Sequence, residues 1–403
     1  MDAQLPVEKR PYGVREPMPG TRLFHGLLLS LPDFAQEAFA ALHRNLSEDF
    51  VGLTTDGSPR VGLVAPATGP STRPITEAAL AYLDDLSRPD QRTDAVVPFN
   101  HPHRRWWFNA FPDWVPSGLL LDDLTQPERD RVMTVVERTL SQEGYQEVRN
   151  VMRLNGLLGD FVNTYVDSLR EWTYFFTIFG TPSEDAPWAW QLMGHHLDLN
   201  CLVLPDHVEL TPMFLGSEFN NVEGVTVFTP HADEALMFAR DLSEHQQQQA
   251  VLFWTMDTAR LPSELAGPVD GRHLGGAGRD NIIVPYAGIA AAALTASQRD
   301  RLMSLVDHFL GRLPEAQRRQ RRSEVLARLD ETYFAWIGDP AAGAPFYYRI
   351  HGPTLWIEFD HHQGIFLDND LPEPYHVHTI IRTPNGGDYG AHLVPLPTSK
   401  DAK

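Results

Sequence analysis

The chain has 403 residues, 33 of them Lys or Arg and 53 Asp or Glu, a formal net charge of −20 that repels nucleic-acid phosphates and anionic membranes. Apolar residues make up 42% and charged residues 21%, the values of a folded globular chain. A single cysteine, Cys201, excludes an intrachain disulfide and any Cys-rich zinc or iron–sulfur site, so a metal centre here must be built from imidazole and carboxylate.

Residues 1–20 contain four prolines and read as an extended arm. They carry no apolar core of a leader peptide, and no window approaches the length of a membrane span, which predicts a soluble, cytoplasmic protein. Apolar residues at helical spacing follow in PDFAQEAFAALHRNL, and a Gly- and Pro-rich loop runs from about Val64 to Pro74. Four helix starts come next, at Leu86-Ser87, Leu124-Thr125, Leu242-Ser243 and Leu294-Thr295. Three carry a capping box: Thr125 with Glu128, Ser243 with Gln246 and Thr295 with Gln298. Behind Thr125, Val132, Val135, Val136 and Leu140 share one face; behind Thr295, Leu302, Leu305, Val306, Phe309 and Leu310 do the same. The starts are unequally spaced, which reads as helices packed on a common body and not as a repeat array.

Strand patterns occupy Tyr174–Phe179, Trp188–Val203 as one alternating run, Val222–Phe228, Phe346–Ile350, Thr354–Phe359 and Tyr375–Ile381. Helices cluster before and between these blocks. The order predicts an α+β fold, with an antiparallel or mixed sheet and helices packed around it, in a single large domain over residues 21–403.

Chemistry concentrates in three segments. In YHVHTIIRTP, a strand puts His376, His378, Ile380 and Arg382 on one face, where two imidazoles can chelate a divalent metal and a guanidinium can anchor an anion. In GHHLDLN, a strand puts His196, Asp198 and Asn200 on one face and His195, Leu197 and Leu199 on the other. In YYRIHGPTLWIEFDHH, Glu358 is a carboxylate in an apolar strand, which requires a partner or a metal. Arg349 across a hairpin is one such partner. The run Arg318, Arg319, Arg321 and Arg322 reads as a solvated helix face, and Gly275-Gly276-Ala277-Gly278 as a flexible loop.

The ordered set WAWQLMGHHLDLN, TPMFLGSE, FYYRIHGPTLWIEFDHHQ and HVHTIIRTPNGGDYGAHL resembles domain-of-unknown-function family 3500 over roughly residues 75–394. The family's G-H-H-L-S-L-N is matched by Gly194, His195, His196, Leu197, Leu199 and Asn200, with Asp198 for serine. Its N-H-x-H-x-x-x-R-D becomes Tyr375, His376, His378 and Arg382, with Thr383 for aspartate. His351 replaces a glutamine, and the extra histidines His351, His361 and His362, with an insertion at about 364–374, mark a specialised pocket.

The paired histidines stand where the family has its own, which strengthens the metal reading. The expectation is a metal-dependent enzyme on a small anionic molecule, with His195, His196, His376 and His378 as candidate ligands. Glu358 and Arg382 are the candidate catalytic residues. Arg349, Tyr348, Trp190 and Arg382 are the candidate substrate-binding residues. Iron or copper fits an oxidoreductase of the non-haem type, with two histidines and one carboxylate; zinc or manganese fits the same donors, zinc as a hydrolase with Glu358 as base. A non-catalytic small-molecule-binding protein is the third reading.

Overall fold

The computed structural model describes residues 33–63, 69–110, 117–163, 169–266 and 272–398; the expected arm over 1–20 lies outside the described residues. Within them the chain runs twice through one series of elements. After α1 (Asp33–Ser47), the first series is α2 (Arg73–Asp85), α3 (Pro89–Ala95), β1 (Val96–Val97), β2 (Leu119–Leu120), α4 (Gln126–Thr139), α5 (Gln142–Val162), β3 (Tyr174–Phe179), β4 (Trp188–Gly194), β5 (Leu197–Leu204), β6 (His207–Glu209) and β7 (Met213–Ser217). A small hairpin of β8 (Asn221–Val222) and β9 (Val225–Thr226) leads to the second. That series is α6 (Thr229–Asp241), α7 (Glu244–Ala250), β10 (Val251–Phe253), β11 (Ile289–Ala290), α8 (Ala296–Leu310), α9 (Glu315–Ala327), β12 (Tyr333–Ile337), β13 (Tyr347–His351), β14 (Trp356–His361) and β15 (Val377–Arg382).

The four helix starts pack on a common body as expected, but they are two matched pairs, which corrects the expectation that no repeat relates them. Leu124-Thr125, Arg129-Asp130-Arg131, Met133, Val136 and Leu140 align with Leu294-Thr295, Arg299-Asp300-Arg301, Met303, Val306 and Leu310. Loops of different length inside each copy hide the period. All three expected capping boxes form. The copies also share a backbone constraint just before the paired helices. Gly118 (φ +76°) and Gly288 (φ +92°) lie so close to β3 and β12 that an added Cβ would stand 2.2 Å from the Phe176 carbonyl oxygen and 2.1 Å from that of Phe334.

The strands form one 13-stranded mixed sheet in the order β1-β3-β4-β5-β7-β15-β14-β13-β12-β10, with β2, β6 and β11 pairing at its sides. Each copy supplies a parallel edge strand (β1 on β3, β10 on β12) and an antiparallel meander. The meanders join where β7 and β15 pair antiparallel, with Met213 opposite Ile381, so an approximate two-fold axis crosses the sheet there. Hydrogen bonding is continuous across that seam, which makes the α+β fold a single domain.

Strand alternation gives the sheet two unlike faces. One carries Phe176, Trp188, Trp190, Leu199, Met213, Leu215, Ile357, Phe359, Tyr348 and Trp336, all buried. Helices cover it: the Trp188 indole donates to Thr76 of α2, and the Tyr348 hydroxyl to the His231 carbonyl of α6. The other face carries Asp198, Asn200, Gly216, His378, Arg382, Asp360, Glu358 and Arg349, and is covered by the loops around residues 104–109 and 272–280.

Three local expectations change. Trp188–Val203 is not one strand but the hairpin β4–β5. Val222–Phe228 holds two-residue strands, because Phe228 takes a left-handed conformation (φ 62°) that begins α6. The basic run of α9 is not wholly solvated: Arg321 is buried and donates to the Thr354 carbonyl and the Thr383 hydroxyl.

Candidate metal centre

β4 ends at Gly194 and β5 begins at Leu197, so His195 and His196 are the two central residues of a tight turn. His196 has φ +62°, a conformation that costs a non-glycine residue about 1 kcal/mol. Two backbone bonds hold it, from His196 N to the Asn109 carbonyl at 2.9 Å and from Gly216 N to the His196 carbonyl at 2.8 Å. Strain of this kind persists only where the surroundings impose it, and it collects at functional sites.

The turn gives the two imidazoles different partners. His195 Nδ1 lies 2.7 Å from Asn155 Oδ1 on α5, while His196 reaches over Gly216 to β15. Gly216 stands opposite His378 in register. A Cβ there would lie 3.0 Å from His378 Cδ2 and 3.1 Å from His196 Cδ2, so the missing side chain lets the rings converge. His376, just before β15, completes the group.

The three Nε2 atoms are 3.1 Å (His196 to His378), 3.1 Å (His376 to His378) and 3.3 Å (His196 to His376) apart. Three nitrogens on a tetrahedral ion at ~2.0–2.1 Å are separated by about 3.3 Å, so the triangle has the dimensions of one face of a coordination sphere. All three rings are at most 4% exposed, and burial lowers each pKa well below that of a free histidine. Each neutral Nε2 is either an N–H or a lone pair. Three such atoms in mutual contact must include two of the same kind, an arrangement that hydrogen bonding cannot satisfy. A cation facing three lone pairs does satisfy it, and this buried three-histidine group can hold a metal ion.

A second set of polar groups surrounds His378. Asp360 lies opposite it in register. Burial, the largest single effect, would raise the Asp360 pKa, but the Arg272 guanidinium at 3.3 Å, the His362 hydrogen bond and the nearby His362 and His273 rings together hold it low. Asp360 Oδ2 also meets His362 Nδ1 at 3.1 Å, and the His362 ring stacks on His378 with centroids 4.4 Å apart. His273 lies against His378 from the covering loop, at 5.9 Å between centroids. His362 Nε2, both His273 ring nitrogens and Arg272 Nε are buried and have no hydrogen-bond partner among the described residues.

Several expected site residues are committed elsewhere. Glu358 accepts from Leu274 N (2.7 Å), Gly275 N (2.9 Å), the Tyr347 hydroxyl (2.7 Å) and the Trp356 indole (2.9 Å), and so anchors the covering loop. The Gly-rich segment expected to be flexible is thus tied at both ends of Gly275, whose carbonyl also accepts from Arg382. Arg382 pairs with Asp388 at 2.7 Å and Asp280 at 2.8 Å and is buried. Arg349 stands opposite Glu358 in register, its guanidinium over the Trp356 ring at 5.2 Å. Tyr348 and Trp190 lie on the helix-covered face, across the sheet from the triad. A cleft of about 910 Å³ also opens on the helical side, among Glu143, Glu147, His231, Asp307 and Arg312, and not at the triad.

Gly216, Arg272 and His273 are neighbours that were not expected in the site, and His362 was expected in a specialised pocket but not beside the metal ligands. Gly216 had a signal in TPMFLGSE and His362 in the doublet after Asp360; Arg272 and His273, in an irregular loop, had none. No curated protein and no solved structure matches the chain. Residues 68–391 match the family described as protein of unknown function DUF3500, and the chain belongs to that family.

Proposed function

We propose that the protein is a metal-dependent enzyme whose metal is held by His196, His376 and His378, most simply an oxidoreductase using iron or copper on a small molecule. The observation that carries the reading is the triangle of Nε2 atoms 3.1–3.3 Å on a side. His195 and Glu358 are left out of the ligand set: the nitrogens that converge are those of His196, His376 and His378, while His195 Nδ1–H donates to Asn155 Oδ1 and Glu358 accepts from four donors. Three imidazoles on one side leave coordination positions open, and a bound metal would supply Lewis acidity or electrons there. This chain's own contribution is to fix the imidazoles, keep them neutral and bury them, which suits a small reactant. Zinc-dependent hydrolysis is the second reading, supported by the neutral donor set, which leaves the full 2+ charge on the ion to lower the pKa of a bound water. Its general base would not be Glu358.

Elemental analysis by inductively coupled plasma mass spectrometry, on protein purified without an affinity tag or chelator, tests the proposal. Near-stoichiometric iron or copper supports the redox reading and leads to an oxygen-consumption assay. Zinc moves the assignment to hydrolysis. No metal, and none taken up on reconstitution, ends the proposal and leaves a small-molecule-binding protein.

A further inference from the structure

The charged groups expected to hold a substrate, Arg382 and Glu358, are fully engaged in fixing the covering loop. Unmet hydrogen-bonding capacity, which other buried histidines such as His207 and His231 also show, lies around His378 as well. A carboxylate only accepts, so the His362 Nδ1 that faces Asp360 at 3.1 Å must carry the proton. His362 Nε2 is then a buried lone pair with no donor. His273, 0% exposed, lacks a partner at either ring nitrogen and so presents one unmet donor and one unmet acceptor. Arg272 Nε is an unmet donor behind them. Each such group left empty costs ~1–3 kcal/mol, and native interiors rarely leave several together.

We propose that His273 and His362, positioned by Arg272 and Asp360, form the substrate-binding wall of the site and select a small molecule that carries a hydroxyl beside an oxygen acceptor, the class of 2-hydroxy acids and enols. This rests on the reading of the triad as a metal site. The hydroxyl donates to His362 Nε2. The acceptor oxygen takes the His273 N–H. Both rings contact the ligand His378 (4.4 and 5.9 Å between centroids), which brings wall and metal to one reactant. A hydrocarbon of equal size leaves these polar groups unmet, and a site built to bond a hydroxyl discriminates strongly against an analogue without one.

Cobalt-substituted protein provides the test, with glycolate and acetate as probes and visible absorption as the readout. Glycolate should bind the wild type at least tenfold more tightly than acetate. In His362→Phe and in His273→Phe the ratio should fall several-fold at unchanged cobalt stoichiometry. His362→Gln, which keeps an acceptor oxygen, should recover part of it and guards against a fold that fails in the Phe variant. Full cobalt with an unchanged ratio in all three variants overturns this inference and leaves the metal site standing. A wild type that takes up no cobalt ends both.

Discussion

The two copies of the repeated unit share a backbone and divide the chemistry unequally. Register identifies matched positions on the loop-covered face: Ala189, Gln191, Met193, Asp198, Asn200 and Leu202 in the first copy answer to Tyr347, Arg349, His351, Trp356, Glu358 and Asp360 in the second. The first set is mostly small or neutral, and Gln191 donates to Asn200 at 2.7 Å. The second is aromatic and charged, and it anchors the covering loop. The hairpin turns differ in the opposite sense, with His195-His196 in the first copy and Pro353-Thr354 in the second. A fold made twice needs its charges on one side only, provided that the other side sends one imidazole across the seam.

The severest break in this division is removal of a proposed ligand. His378→Ala should lose metal by more than the roughly 100-fold that an outer partner costs, measured by metal content after dialysis, while Thr354→Ala at the matched turn should leave metal content unchanged. Retention of full metal by His378→Ala would remove that residue from the site. Gly216→Ala acts on both imidazoles at once. The new methyl meets the Val377 carbonyl at 2.9 Å and both rings at 3.0–3.1 Å, so it should weaken metal binding at least tenfold and lower stability by ~1–3 kcal/mol. Wild-type metal affinity in this variant would mean that the rings have room to retreat.

Glu358 and Asn200 sharpen the comparison at one matched position. Glu358→Ala strands four donors, three of them buried, and at ~1–3 kcal/mol for each unmet buried group it should cost several kcal/mol in urea denaturation. Asn200→Ala removes one bond to Gln191 and one to the Pro212 carbonyl, and should cost about 1–3 kcal/mol. Folded Glu358→Ala protein should still take up metal; if it does not, Glu358 belongs among the ligands after all.

What could be read from the chain follows from how local each feature is. His376 immediately precedes the strand that carries His378, and a spacing of two, which an extended chain turns to one side, already groups them in the sequence. His196 was visible as a histidine but not as a turn residue, because nothing in Gly-His-His-Leu demands a left-handed backbone; the β7 backbone and Asn109 impose it from a distance. Glu358 was correctly marked as a carboxylate in need of partners, yet three of its four donors come from residues far along the chain or across a hairpin. The duplication was legible in Leu-Thr…Arg-Asp-Arg, but unequal loops masked its period, and only the paired strands make it plain.

The finest test exchanges a histidine for the residue that its counterpart already carries. His351 is 1% exposed, and burial, aided by the nearby Arg349 charge, lowers its pKa to about 3. Met193 holds the matched position in the first copy. Below the unfolded-state value of about 6.5, the unfolded chain binds a proton at this histidine and the native chain does not. Its contribution to stability is therefore lost as pH falls from 6.5 towards 3, at a slope of up to ~1.4 kcal/mol per pH unit. His351→Met should flatten the pH dependence of metal-free protein in that window by about one proton, and change little above pH 7 beyond a constant packing difference. Urea midpoints at pH 7.5 and 5.5 measure it. An undiminished slope would mean that His351 takes up its proton in the native state, and that the second copy can carry one more charge on its loop-covered face.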